Sequence, residues 1–319
     1  MTCRREQTAP MNAEENATSN GEAVAVVGRF ASRRTKSSLA AVAAVAAVGL
    51  VVLAGCGLGN GGRPKGPPVG QSGFGNAEAP AGNGNSVIYL HHSTGNNIWE
   101  GGIREAVQAQ NEVNGTSIAI KEQNYPYKPH PWENNPYEYW NLWVNHSGEN
   151  RYEEQPSLEQ IASDFDVIVW KNCYITAGME ADDGNPDVSS PKKTLANYKL
   201  QYDALKEKMN SFPDKTFVVW TVPPKTKGDT NDEAAKLTNE FVEWTKSEWD
   251  VPGDNIHLWD YHALAMEGSP DGVHPKDGYS VGEKDSHPGK EISASASKRF
   301  AQRLSDVMAG QGDTAPITG

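Results

Sequence analysis

The chain has 319 residues, with 29 Lys and Arg against 41 Asp and Glu, for a formal charge of −12. An acidic protein is repelled by phosphate backbones and by anionic lipid, so nucleic acid and an anionic membrane surface are excluded as the expected partners. The length exceeds one ordinary domain, and the composition changes sharply along it, so only part of the chain is expected to form a core.

Residues 1–38 are polar and irregular and end in a basic cluster, Arg29, Arg33, Arg34 and Lys36; they read as a disordered extension. The 17 residues 39–55 are almost all small and apolar, and Cys56 follows. A basic segment, an apolar stretch and small residues before a break make the pattern of a secretory signal. Leu53-Ala54-Gly55-Cys56 resembles the bacterial lipoprotein signal, in which the cysteine is lipidated and becomes the new N-terminus. A plain membrane anchor is the alternative, since 17 residues stand at the lower edge of the roughly 17–25 that span a bilayer. Cleavage before Cys56 would remove six of the 29 Lys and Arg and four of the 41 Asp and Glu, leaving 23 and 37, a balance of −14. Cys173 would then be the one free thiol, so no internal disulfide is expected and the domain must be held by its own core. Residues 57–85, rich in Gly, Pro, Asn and Ser, read as a flexible linker.

From residue 86 strands and helices alternate. Strands are expected at 86–90, 116–121, 166–170, 216–222 and 255–260. Helices are expected at 97–112, 191–212, 232–249 and 290–308, and residues 310–319 are expected to fray. The apolar run Val167-Ile168-Val169-Trp170 suits a strand buried on both faces. Such alternation builds a three-layer α/β/α domain, here over 86–309, around a mostly parallel five-stranded sheet. Ligands bind such sheets beyond the carboxyl ends of the strands. The residues there are His91–Asn97, Lys171-Asn172-Cys173-Tyr174, 221–225 and 261–262.

Within the first group, Ser93 follows a strand and precedes a helix. A nucleophile suits that place, where the strand is rigid and the turn exposes the hydroxyl; a simple helix cap suits it too. Ahead of the last helix stand two Asp/His pairs, Asp271-Gly272-Val273-His274 and Asp285-Ser286-His287. A Ser after the first strand, an Asn after a middle strand and an Asp/His pair before the last helix resemble the SGNH (GDSL-like) hydrolase superfamily, over roughly residues 86–308. The resemblance implies a flavodoxin-like α/β/α fold and a serine esterase without metal or organic cofactor. It implies Ser93 as nucleophile, a His as base, an Asp orienting that His, and Asn172 as an oxyanion donor. The chemistry asks for the same parts: a serine hydroxyl needs a base, the base needs a fixed tautomer, and the developing oxyanion needs preorganised donors.

The match is partial. Gly-Asp-Ser is replaced by His91-His92-Ser93, and Gly-x-Asn-Asp by Lys171-Asn172-Cys173-Tyr174. The glycine of the oxyanion hole falls to Gly95 or Gly102. Asp271 and His274 have the superfamily's common spacing; Asp285 and His287 abut the last helix and are preferred for that reason.

Three further features bear on function. Adjacent His91 and His92 point to opposite faces of an extended chain and do not readily share a metal. No zinc-ligand spacing is present, so no metal is expected. Residues 124–152 carry Tyr125, Tyr127, Trp132, Tyr137, Tyr139, Trp140, Trp143 and Tyr152, either as a loop packed on the sheet or as a wall of the substrate cleft. Cys173 reads as a small buried residue. The expected whole is a lipid-anchored envelope esterase acting on O-acyl (acetyl) esters of carbohydrate, its substrate a small molecule or a polysaccharide. The alternative is an inactive relative that binds glycan at the surface.

Overall fold

The computed structural model describes residues 84–127 and 131–319. The extension 1–38, the signal-like stretch with Cys56, and all but the end of the 57–85 linker lie outside them.

Five strands form one parallel sheet: β1 Ser86–His91, β2 Ala119–Asn124, β3 Val167–Trp170, β4 Thr216–Trp220 and β5 Ile256–Trp259. Their order is β2-β1-β3-β4-β5, the flavodoxin-like order, and all four pairings are parallel. The three-layer α/β/α architecture expected from the alternation is therefore present.

Successive side chains of a strand point to opposite faces, and here both faces are apolar. Ile88, Leu90, Ile168, Trp170, Phe217 and Val219 bury on one side against α3 (Pro136–Trp140), α4 (Leu158–Asp164), α5 (Leu195–Asn210) and α6 (Asp232–Trp244). Val87, Tyr89, Val167, Val169, Val218 and Trp220 bury on the other against α1 (Thr94–Glu100), α2 (Ile103–Asn114), α7 (Tyr261–Ala265) and α8 (Lys290–Asp306). The two layers divide the aromatic load: Tyr139, Trp143, Tyr198 and Tyr202 fill the first, and Trp259, Tyr261 and Phe300 the second.

Several elements differ from the expectation. The single helix over 97–112 is two helices, broken at Gly101 and Gly102. A Cβ on Gly101 would stand 2.6 Å from the Ser293 backbone of α8, and Gly102 has φ +111°. The chain therefore turns where α8 packs closest. Strand β2 starts three residues later than expected, because Asn111 uses its side chain to hold the turn at Thr116 and Ile118. An antiparallel hairpin, β6 (Ser280–Gly282) with β7 (Asp285–Pro288), carries the second Asp/His pair and was not anticipated.

The tail 310–319, expected to fray, packs on the outer edge of β5. The Ile317 carbonyl accepts the Asp260 N–H at 2.8 Å, and the Thr318 carbonyl accepts Trp259 Nε1–H at 3.3 Å. Buried Arg303 donates to the Leu258 and Gly312 carbonyls, both at 2.7 Å. An open strand edge leaves backbone groups unpaired; here Arg303 meets the Leu258 carbonyl and the tail meets the Asp260 N–H.

Candidate active site

Strand β1 lies between β2 and β3, so the chain leaves β1 and β3 in opposite directions around the sheet. A crevice opens there, beyond the strand ends. Ser93 and Cys173 both stand at this point.

Ser93 has φ +45° and ψ −101°. A non-glycine residue with positive φ is strained by roughly 1–3 kcal/mol and persists only where its surroundings hold it. Its carbonyl accepts the Asn97 N–H at 3.1 Å and so starts α1, but its side chain makes no cap hydrogen bond. The cap is therefore not what the Ser93 hydroxyl does.

That hydroxyl is hydrogen-bonded to Nε2 of His287. The other ring nitrogen, Nδ1, lies 2.6 Å from Oδ1 of Asp285, which also accepts the His287 N–H at 2.9 Å. A carboxylate at Nδ1 holds the proton there and leaves Nε2 free to accept from the serine. Hydrogen bonding from the His287 N–H, and then from the ring, keeps the Asp285 carboxyl below its ordinary range against a small burial penalty. Only one residue separates Asp285 and His287, and the extended backbone of β7 lets both reach the same side. The hairpin is pinned from outside: Ser286 donates to Asp229 at 2.6 Å and accepts the Thr226 N–H at 3.0 Å. The Tyr174 ring meets His287 edge-on, with centroids 4.8 Å apart.

The competing pair is built differently. His274 Nδ1 is 3.2 Å from Asp271, and its Nε2 is 3.7 Å from Asp232 at the start of α6. The ring is sealed, and Asp271 accepts the N–H groups of Val273 and His274 in its own turn. This pair braces a loop, and Ser93 is bonded to the other histidine.

Neither expected oxyanion donor faces Ser93. Asn172 shares strand parity with Ile168 and Trp170, so its side chain enters the α5 layer, where its amide donates to the Tyr202 hydroxyl at 2.6 Å. The Gly95 N–H is taken by the His92 carbonyl at 2.8 Å, and the Gly102 N–H by the Trp99 carbonyl at 3.1 Å. The Ser93 N–H has no acceptor among the described residues.

His91 and His92 diverge, as their adjacency requires. His91 is buried, stacks on Tyr89 at 4.8 Å and donates to Glu122 at 2.5 Å. Burial, with the Lys171 and His92 charges, pushes its pKa down to about 3, so it stays neutral. His92 is bonded to the Pro126 carbonyl and lines a cavity of about 200 Å³ with Ser93, Trp132, Glu133, Asn134, Cys173 and Tyr174. The aromatic insert thus does two things. Tyr125, Tyr139 and Trp143 join the core, where Trp143 donates to Tyr125 at 2.7 Å, while Trp132 forms part of the cavity wall. A larger cleft of about 540 Å³, between 226–228 and the 275–283 loop, contains neither Ser93 nor His287. Among the described residues no three His, Cys, Asp or Glu side chains converge as a metal site.

The sequence placed Lys171 and Cys173 past the end of β3 but did not show that both lie against the Ser93 loop. Lys171 shares parity with Val167 and Val169 and runs under the Ser93 loop. A Cβ on Gly95 would lie 2.5 Å from His91 Cβ and 2.8 Å from Lys171 Cε. A lysine in an otherwise apolar parity row was the available signal.

Neither a protein-family model, nor a curated protein, nor a solved structure matches this chain.

Proposed function

We propose that this chain is a serine ester hydrolase in which Ser93 is the nucleophile, His287 the base and Asp285 the residue that orients it. The observation that carries the reading is the hydrogen-bonded series from Ser93 Oγ through both nitrogens of His287 to Asp285. Ser93 Oγ attacks the acyl carbon while His287 Nε2 takes its proton. The ester C–O bond then breaks, and His287 returns the proton to the departing alcohol. Water, deprotonated by the same nitrogen, hydrolyses the acyl-serine. The Ser93 N–H is the first donor to the oxyanion. The cavity of about 200 Å³ suits a short acyl group, and Trp132 and Tyr174 offer flat faces of the kind that stack on sugar rings. An O-acetylated carbohydrate is the substrate to try first.

A fluorophosphonate probe is expected to label the full-length protein at Ser93. Ser93→Ala is expected to abolish both labelling and p-nitrophenyl acetate hydrolysis, and hydrolysis that survives this change removes the assignment. The second reading is a glycan-binding protein without turnover. It is favoured by the engagement of Asn172 and Gly95 elsewhere, and a wild type inert to probe and ester would select it.

Attachment to the cell envelope through a lipid on Cys56 belongs to the same proposal and rests on residues 39–56. Among the described residues no helix is long and apolar enough to cross a membrane. Metabolic incorporation of a palmitate analogue, lost in Cys56→Ala, is the expected result.

A further inference from the structure

Beneath Ser93 lies a charged side chain that the proposed reaction does not use. Lys171 is fully buried, and its Nζ has no hydrogen-bond partner among the described residues. A lone ammonium in such a place is strongly disfavoured unless an anion stands beside it. The chain has made room for this side chain, because Lys171 Cε occupies the space that a Cβ on residue 95 would need.

The buried residue two positions on along the same strand exit is Cys173, whose sulfur lies against Thr94, the neighbour of the Gly95 position that Lys171 Cε fills. Thr94 Oγ1 lies 3.8 Å from the Cys173 sulfur, and Cys173 lines the same small cavity as Ser93. The Cys173 N–H is held by the Asn134 carbonyl at 2.9 Å, which ties the sulfur's backbone to the cavity wall. An unpartnered buried amine and a buried thiol held against Thr94 therefore lie side by side under the nucleophile loop.

We propose that Lys171 and Cys173 form a buried ion pair below the nucleophile loop. In this pair Cys173 acts as a positioning residue whose sulfur holds Thr94 and, through it, the constrained backbone of Ser93. The inference rests on the reading of Ser93 as nucleophile for its consequence, but not for the ion pair itself. A thiolate accepts several hydrogen bonds at once, which a thiol does poorly. With the Thr94 hydroxyl fixed on sulfur, the Ser93 hydroxyl is left to His287.

The direction of titration agrees. Burial pushes the Cys173 thiol up, but the Lys171 charge, and after it hydrogen bonding from Thr94, bring it below its ordinary value. Burial also lowers the Lys171 amine, against the pull of Cys173. The other titratable groups that face the pair are His91 at the end of β1, His92 after it, Tyr174 after β3, and Tyr261 and Tyr279 from the layer packed on the same face of the sheet. The three tyrosines are held protonated by burial and by Cys173 itself, so none competes as the counter-ion.

The test has an arm that needs no catalysis. Thiolates absorb near 240 nm, and subtracting the spectrum of full-length Cys173→Ser removes the signals of Cys3 and Cys56; an ordinary thiol ionises only near about pH 8.5. The difference spectrum is expected to show thiolate at neutral pH and to lose it in Lys171→Met. A Cys173 signal that appears only in the ordinary thiol range overturns the ion pair, with or without the Lys171 variant. The second arm reads fluorophosphonate labelling of Ser93. Cys173→Ala is expected to slow it by about tenfold, with the fold checked by its far-ultraviolet spectrum, and Cys173→Ser to recover part of the rate because its hydroxyl still accepts from Thr94. Labelling of Cys173→Ala at the wild-type rate overturns the positioning role. A wild type that is not labelled at all ends the esterase reading and the positioning role together, and leaves the ion pair to the spectrum.

Discussion

At the scale of single residues, the site depends on which imidazole reaches one hydroxyl. Both Asp/His pairs form, but His287 is bonded to Ser93 and His274 is sealed between Asp271 and Asp232. His287→Ala is therefore expected to lower kcat by roughly 10⁴-fold or more, as loss of a triad base does elsewhere. His274→Ala is expected to leave kcat within a few-fold and to lower stability instead. Equal losses of kcat in the two variants, measured with p-nitrophenyl acetate, would contradict this assignment. Gly95 supplies a second residue-scale consequence. Its missing side chain is what admits Lys171, so Gly95→Ala forces His91 or Lys171 to move. Overpacking of this kind costs about 1–3 kcal/mol. Urea denaturation should show a lowered midpoint, and an unchanged midpoint would mean the loop gives way freely.

At the scale of elements, two segments without a periodic signature decide the architecture of the site. The β6–β7 hairpin carries Asp285 and His287 on four residues, Asp285–Pro288, too few and too polar to announce a strand. The terminal segment closes the far edge of the sheet through Asp260, Trp259 and Arg303. Deleting residues 311–319 leaves the Arg303 guanidinium without its Gly312 acceptor and bares β5. Loss of a hydrogen bond to a charged group alone costs roughly 1.5–3 kcal/mol. The truncated chain is expected to unfold at lower denaturant and to self-associate through the open edge, as read by light scattering. A truncation that is monomeric and as stable as the intact chain would show the segment to be dispensable.

At the scale of the whole molecule, the buried histidines set how the fold responds to acid. Burial lowers His91 to about 3 and also lowers His92, His257 and His262. Below about pH 6.5 the unfolded chain takes up protons that the folded chain refuses, so stability falls as pH falls. Asp250 acts in the opposite sense. Burial raises its pKa to about 6, so its contribution is present in acid and lost as pH rises through that value. Near neutral pH the histidines dominate, and further into acid they are opposed by Asp250 and by Glu122, Glu138 and Asp203, which burial also raises. Acidification from neutral to pH 5 is expected to lower stability by roughly 2 kcal/mol from His91 alone. His91→Gln should flatten that part of the profile in thermal unfolding, and an unchanged slope would place the titrating group elsewhere.

The sequence by itself determined the layers. Strands such as Val167–Trp170 are apolar on both faces, and only a sheet covered on both sides buries both. It also determined which residues stand past the strand ends, because strand boundaries follow from local composition; Ser93 was legible in that way, and the two Asp/His pairs by their place ahead of the last helix. Tertiary structure alone decided the rest. Parity turned Asn172 toward Tyr202 and Lys171 toward Gly95, and a shift of one residue would exchange them. Which histidine meets Ser93 depends on a hairpin held by Asp229 and Thr226, residues far away in the chain. The Gly101 break and the docked tail likewise answer to partners, α8 and β5, that no local window contains. Periodicity records which side of an element meets the core, whereas the contacts at the end of a strand are made by loops whose course is set by everything they pack against.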